Sequence, residues 1–173
     1  MLTGDFTLIS FMIEDTKECM AKLLKDTIFD EFLCTSFEMV GLYKVNIDGQ
    51  IRMDYLSSDE KEILGDRKYI KWEVLKTSVF DMIKGHKTPT SLKIVFGLKN
   101  GAKEALLNKI NFTDINAINN FSFSFIFENK RIKIITGTNY AGFTLDKQAE
   151  QYFDDNMLKF FKKHGISTML TID

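Results

Sequence analysis

The stretch FSFSFIFENKRIKIIT (121–136) constrains this chain more than any other. Phe121, Phe123, Phe125 and Phe127 recur with period two. Successive residues of a β-strand point to opposite faces, so these rings share one face of a strand. The residues ENKR then turn the chain back into a second strand, which predicts an antiparallel hairpin. Four phenylalanines in a row would make an aggregation-prone surface if exposed, so the stripe is expected beneath a helix. RNA-recognition modules do expose such aromatics for base stacking, with a signature of the form K/R-G-F/Y-G/A-F-V-x-F/Y. FSFSFIF lacks the leading basic residue and both glycine positions. The stripe reads as core.

Composition agrees. The chain has 173 residues, of which 16 are phenylalanine and one is proline, with 45% apolar and 27% charged. That suits one well-packed domain or two small repeats sharing a core. The formal net charge of −1 excludes whole-molecule electrostatic attraction to nucleic acid, so any basic surface must be local. Cys19 and Cys34 form no C-x-x-C pair and read as small core hydrophobes. No apolar run is long enough to span a bilayer, so no membrane partner is expected. The start MLTGDFTLISFMIEDTKE has no positively charged leader and carries early acids, which points away from a signal peptide and toward a cytoplasmic setting.

Periodicity supplies the other elements. An apolar run at 6–13 reads as a strand. Asp15 with Glu18 three residues on has capping-box spacing, and predicts a helix over 15–26. Tyr43, Val45 and Ile47 alternate with polar residues, as do Ile51 and Met53, with Asp48-Gly49 as a hairpin turn between them. A short helix is expected from Ser57 or Ser58, and Trp72, Leu75, Val79, Met82 and Ile83 mark an amphipathic helix ended by Gly85. SLKIVFGL (91–98) reads as a strand, Asn100 as the cap of a helix with Ala102, Leu106 and Ile110 on its apolar face, and GFTLD (142–146) as another short strand. Asp146 is expected to cap the last helix.

The expected fold is therefore α+β, a single domain over 1–173. It contains two antiparallel strand–helix–hairpin units, a pseudo-repeat of 6–56 and 91–145, with a helical insert at 57–85 and a C-terminal helix at 146–164.

The chemistry-bearing patterns are few. GTNYAGFT (137–144) is one residue short of a P-loop, has Phe143 at the lysine position, and is followed by FTLD rather than a helix. Its glycines are expected to turn the chain. His86 and His164 are the only histidines; neither sits in a metal-ligand spacing, and His164 suits a helix C-terminus. No nucleophile signature is present, and adjacent acid pairs such as Asp154-Asp155 diverge on a helix. No catalytic residue, metal site or cofactor is predicted. The turn KGHKTPTSLK (84–93) is the candidate anion- or partner-binding segment, through Lys84, His86, Lys87 and Thr88. A plain helix C-cap by Gly85, with lysines complementing the helix end, is the preferred reading of it.

Three segments carry a resemblance: YKVNIDGQI (43–51), KWEVLKTSVFDMIKGHKTPTSLKIVF (71–96) and ITGTNYAGFTLDKQAEQYFDDNMLKFFKKHGI (135–166). They resemble a family of short proteins from Firmicutes known as a domain of unknown function, which implies a bacterial, cytoplasmic origin and no particular activity. More distantly, FSFSFIFENKRIKIITGTNYAGFTLD is similar to the hairpin of sliding DNA clamps, with 91–110 as the strand and helix of the same unit. That resemblance implies a DNA-facing basic helix face, whose candidates are Lys17, Lys22 and Lys25 on the first helix and Lys103 and Lys109 on the second. Lysines also solvate amphipathic helices without any partner.

The functional expectation is a non-enzymatic binding or scaffolding protein, possible partners being protein or nucleic acid. The alternative is a small-molecule binder or enzyme whose site is assembled from distant residues near 84–90.

Overall fold

The computed structural model describes residues 9–85 and 87–171. The described elements run β1 (Ser10–Ile13), α1 (Thr16–Lys25), β2 (Leu33–Val40), β3 (Lys44–Asp48), α2 (Ser58–Leu64), β4 (Ile70–Lys71) and α3 (Trp72–Ile83). They continue β5 (Ser91–Gly97), α4 (Asn100–Lys109), β6 (Ile118–Glu128), β7 (Arg131–Tyr140), α5 (Gln148–Lys163) and β8 (Thr168–Leu170). One antiparallel sheet runs in the order β3-β2-β5-β6-β7-β1-β8, with β4 also paired to β2. The fold is α+β, as the hairpin-after-helix pattern predicts. Each half contributes a strand–helix–hairpin unit, β1-α1-β2-β3 and β5-α4-β6-β7. Their places in the sheet differ: β5 lies between the two hairpins, whereas β1 lies outside β7.

The phenylalanine stripe organises the core. Phe121, Phe123, Phe125 and Phe127 are 0–4% exposed. Phe121 stacks on Phe153 of α5 at 4.7 Å, Phe123 meets Phe32 and Phe96 at 4.9 and 5.0 Å, and Phe125 meets Phe29 edge-on at 6.1 Å. Burying each ring is worth roughly 1.5–3 kcal/mol. The ENKR turn holds Asn129 and Lys130 at φ +51° and +60°, with Glu128 opposite Arg131. Two left-handed residues match the twist of a two-residue hairpin. Across the sheet's other face, Glu38, Lys93, Ile126, Lys133 and Met12 form one cross-strand row.

Helices are tied to one another through buried polar groups. The Trp72 indole Nε1–H donates to the Leu23 carbonyl at 2.9 Å, joining α3 to α1. Lys76 pairs with Asp30 at 2.6 Å beside it. Lys22 Nζ donates to the His164 carbonyl at 2.6 Å, where α5 ends on Gly165 at φ +73°. A left-handed glycine closes a helix without the strain a Cβ would bring.

Several sequence expectations need correction. Of the strand expected at 6–13, residues 6–8 lie outside the described residues. Asp48-Gly49 is not a hairpin turn. Asp48 still pairs with Ser36, and the β2–β3 turn lies at 41–43. Gly49 instead permits a close backbone approach, since a Cβ there would lie 1.7 Å from the Cys34 carbonyl oxygen. Gly137 does not turn the chain either; it sits within β7 opposite Ser122. Residues 142–146 form no strand, leaving Phe143 and Leu145 exposed. Asp146 accepts from the Gln148 amide, although Lys147 occupies the cap position. Asn100 does not cap α4 but donates to Asp66 at 2.6 Å, and α4 buries Leu107 while Ala102 is exposed.

Candidate functional site

The start of β2, the end of β5, the start of β6 and the end of β7 lie at one end of the sheet. A cleft of about 660 Å³ opens there, between the segment 66–71 and the start of α4.

Local chemistry fixes both walls. Ser57 accepts from the Glu60 amide while Glu60 accepts from the Ser57 amide, a reciprocal cap that starts α2. Gly65, at φ +65°, ends it. The returning segment is then pinned on both sides: the Ile51 amide donates to the Lys68 carbonyl at 2.8 Å, and β4 pairs with Leu33 and Cys34. This carries Arg67, Lys68 and Lys71 along one wall. On the other side Gly97 ends β5, and α4 begins at Asn100 with no side chain capping its first turn. Open helix N-terminal amides favour an anion.

Four cations line the cleft, Arg67, Lys68, Lys71 and Lys99, against one lining carboxylate, Asp66. Glu31 adds a second carboxylate at the rim, accepting from Lys99 and from Lys71 at 3.2 Å. Those two lysines, Lys99 foremost, hold its carboxyl below the usual range. Neither Arg67 nor Lys68 has a carboxylate partner among the described residues. Asn119, Asn120 and Asn139 supply neutral donors and acceptors, with Asn119 Nδ2 donating to Asn139 Oδ1 at 3.3 Å. Among the described residues, Arg67 Nε and Asn120 Oδ1 are buried without a hydrogen-bond partner. Leaving such groups unpaired costs about 1–3 kcal/mol each.

A second polar cluster lies under α5. Tyr140 donates to Glu150 at 3.2 Å, Lys147 pairs with Glu150 at 3.3 Å, and Asp154 is buried nearby. Burial pushes the Asp154 carboxyl up to about 6, against the opposing hydrogen bond from Thr136. The Cys19 and Cys34 thiols are pushed up to about 12, again by burial. Among the described residues, no three His, Cys, Asp or Glu side chains meet in a group able to hold a metal ion.

The residues singled out from sequence lie elsewhere. Lys84, Lys87 and Thr88 are exposed in the connection from α3 to β5, and His86 lies outside the described residues. That turn precedes β5, whereas the cleft follows it, so the two are roughly 20 Å apart along the strand. On α1, Lys17 is exposed, Lys22 is held by His164 and Glu18, and Lys25 lies 5.8 Å from the Phe80 ring. On α4, Lys103 donates to the Ile118 carbonyl at 3.2 Å, and Lys109 is exposed. Sequence reading passed over Arg67, Lys68, Asn120 and Asn139. The signal available was Gly-Asp-Arg-Lys directly after a capped helix, which is indistinguishable locally from solvated surface.

No helix among the described residues is long and apolar enough to cross a membrane. No curated protein and no solved structure matches the chain. The sequence pattern of a family of unknown function (DUF5721) matches residues 22–168, a span that takes in both walls of the cleft. The chain belongs to that family.

Proposed function

We propose that this is a non-enzymatic binding protein whose ligand site is the cleft at the start of α4, and that the ligand is a small anion-bearing molecule. The observation that carries this reading is the gathering of four cations and an uncapped helix start around one cleft, with Arg67 Nε buried and unpartnered among the described residues. Clefts of this size with a few convergent polar groups are the usual form of a ligand site. A bacterial, Firmicutes origin and a cytoplasmic location go with the reading on the strength of the sequence resemblance.

Titration calorimetry with inorganic phosphate and with citrate tests it. Binding should weaken as salt is raised and should be lost in Arg67→Glu, while Lys84→Glu/Lys87→Glu leaves it unchanged. Loss in the latter variant instead would move the site to the 84–88 turn.

A clamp-related scaffold for a protein or nucleic-acid partner is the second reading. It is favoured by the placement of α1, α3, α4 and α5 on the phenylalanine face of one sheet, with Lys17 and Lys109 exposed. Lys22, Lys25 and Lys103 are already engaged within the chain, which weakens the basic face it needs. Light scattering at low and moderate salt separates the readings: a ring-sized oligomer favours the clamp, and a monomer or dimer removes encirclement.

A further inference from the structure

We infer that the ligand is a phosphorylated sugar, with its phosphate at Arg67, Lys68 and the start of α4 and its hydroxyls on Asn120 and Asn139. This rests on the anion-binding reading above and names the class of ligand.

Charge selects the head group. Arg67, Lys68, Lys71 and Lys99 face two carboxylates, Asp66 and Glu31, which leaves an excess of two positive charges. A phosphate monoester carries about −1.5 to −2 near neutral pH and matches that excess. A monocarboxylate supplies half of it, and a zwitterionic amino acid supplies none. The open amides of α4 and the planar guanidinium of Arg67 are all donors, which suits the acceptor oxygens of a phosphate.

Hydrogen bonding selects the body. A phosphate dianion has no proton to give, yet Asn120 Oδ1 is an acceptor without a partner among the described residues. The Asn119–Asn139 pair uses one donor and one acceptor of the two amides, leaving Asn139 Nδ2 and Asn119 Oδ1 without a side-chain partner among the described residues. Hydroxyls, which both donate and accept, meet these needs; a second carboxylate does not. Arg67 Nε and Asn120 Oδ1 are covered in this structure, so their engagement of a ligand requires a side-chain rotation of the kind common on binding.

Length agrees as well. The cleft runs across the ends of β2, β5, β6 and β7, from Thr35 through Gly97 and Asn120 to Asn139. Three inter-strand steps span roughly 14 Å, which leaves room for a phosphate between the two walls and a sugar reaching toward β6 and β7.

Calorimetry with ribose 5-phosphate, ribose, inorganic phosphate, citrate and adenosine monophosphate tests the assignment. Ribose 5-phosphate should bind about tenfold tighter than inorganic phosphate. Asn139→Ser, at an exposed position, and Asn120→Ala should each remove most of that advantage while leaving inorganic phosphate affinity unchanged; a thermal melt reports whether each variant is folded. Adenosine monophosphate separates a free sugar phosphate, with equal affinity, from a nucleotide, with tighter affinity, and either result supports the class. Equal binding of ribose 5-phosphate and inorganic phosphate, or tighter binding of citrate, overturns the sugar phosphate and leaves an anion cleft. Failure of every anion to bind overturns both.

Discussion

Glu31 accepts hydrogen bonds from Lys71, at 3.2 Å, and from Lys99 through the same carboxylate. One rim acid thus pairs with two of the four cations around the cleft and offsets one of their charges. It is 62% exposed, so the arrangement adds little to stability, but it lowers the positive potential that an incoming anion meets. Glu31→Gln should raise affinity for inorganic phosphate by about threefold to tenfold at low salt, with the gain shrinking as salt is added. Unchanged or weaker binding in calorimetry would place the anion away from Lys71 and Lys99.

Asp154 makes stability depend on pH. Its carboxyl is pushed from near 3.8 up to about 6, first by burial and then by the negative charges of Glu150 and Asp155. The folded chain therefore holds the proton more tightly than the unfolded chain. The resulting stabilisation is fully present below about pH 4 and is lost as pH rises through about 6. Asp154→Asn should raise neutral-pH stability by on the order of 1–2 kcal/mol and flatten the pH dependence of the melting temperature over that window. A variant that melts lower at neutral pH would mean that the carboxylate is held charged, contrary to this account.

Gly49 should tolerate no side chain. An added Cβ would meet the Cys34 carbonyl oxygen at 1.7 Å, whereas at Gly41 it would meet nothing within 4 Å. Gly49→Ala is expected to cost about 3 kcal/mol or more in denaturant unfolding, and Gly41→Ala about 0.5 kcal/mol or less. Similar midpoints for the two variants would contradict the close approach of β2 to residue 49.

The thiols provide a probe of opening. Cys19 and Cys34 are fully buried, with both thiols pushed up to about 12. Neither should react with a disulfide reagent at neutral pH in the native state, because the thiolate is the nucleophile. Labelling should follow unfolding kinetics, and a rapid native-state burst would show that one of them is accessible.

Much of the fold was legible because its signals are local. Phe121 to Phe127 alternate within one strand, Asn129 and Lys130 turn it, and the Ser57–Glu60 cap lies within four residues. Local alternation also misled. Phe143 and Leu145 look like strand residues, but both edges of β7 are already occupied by β6 and β1, so no partner remains for them there. Asp48-Gly49 looks like a turn because the Cys34 carbonyl that demands the glycine is remote in sequence. The cleft was not legible for the same reason. Arg67, Asn100, Asn120 and Asn139 come from four separate segments, and each alone is ordinary polar surface. The candidate turn at 84–88, by contrast, was visible as a lysine cluster, and its described residues Lys84, Lys87 and Thr88 do not line the cleft.

The most direct test of the central claim is amide-resolved NMR during titration with inorganic phosphate. The account predicts the largest shifts at Asn100 and Gly101, at the open start of α4, and at Arg67 and Lys68 on the facing segment. Largest shifts at Lys84, Lys87 and Thr88, or no saturable shifts anywhere, would contradict it.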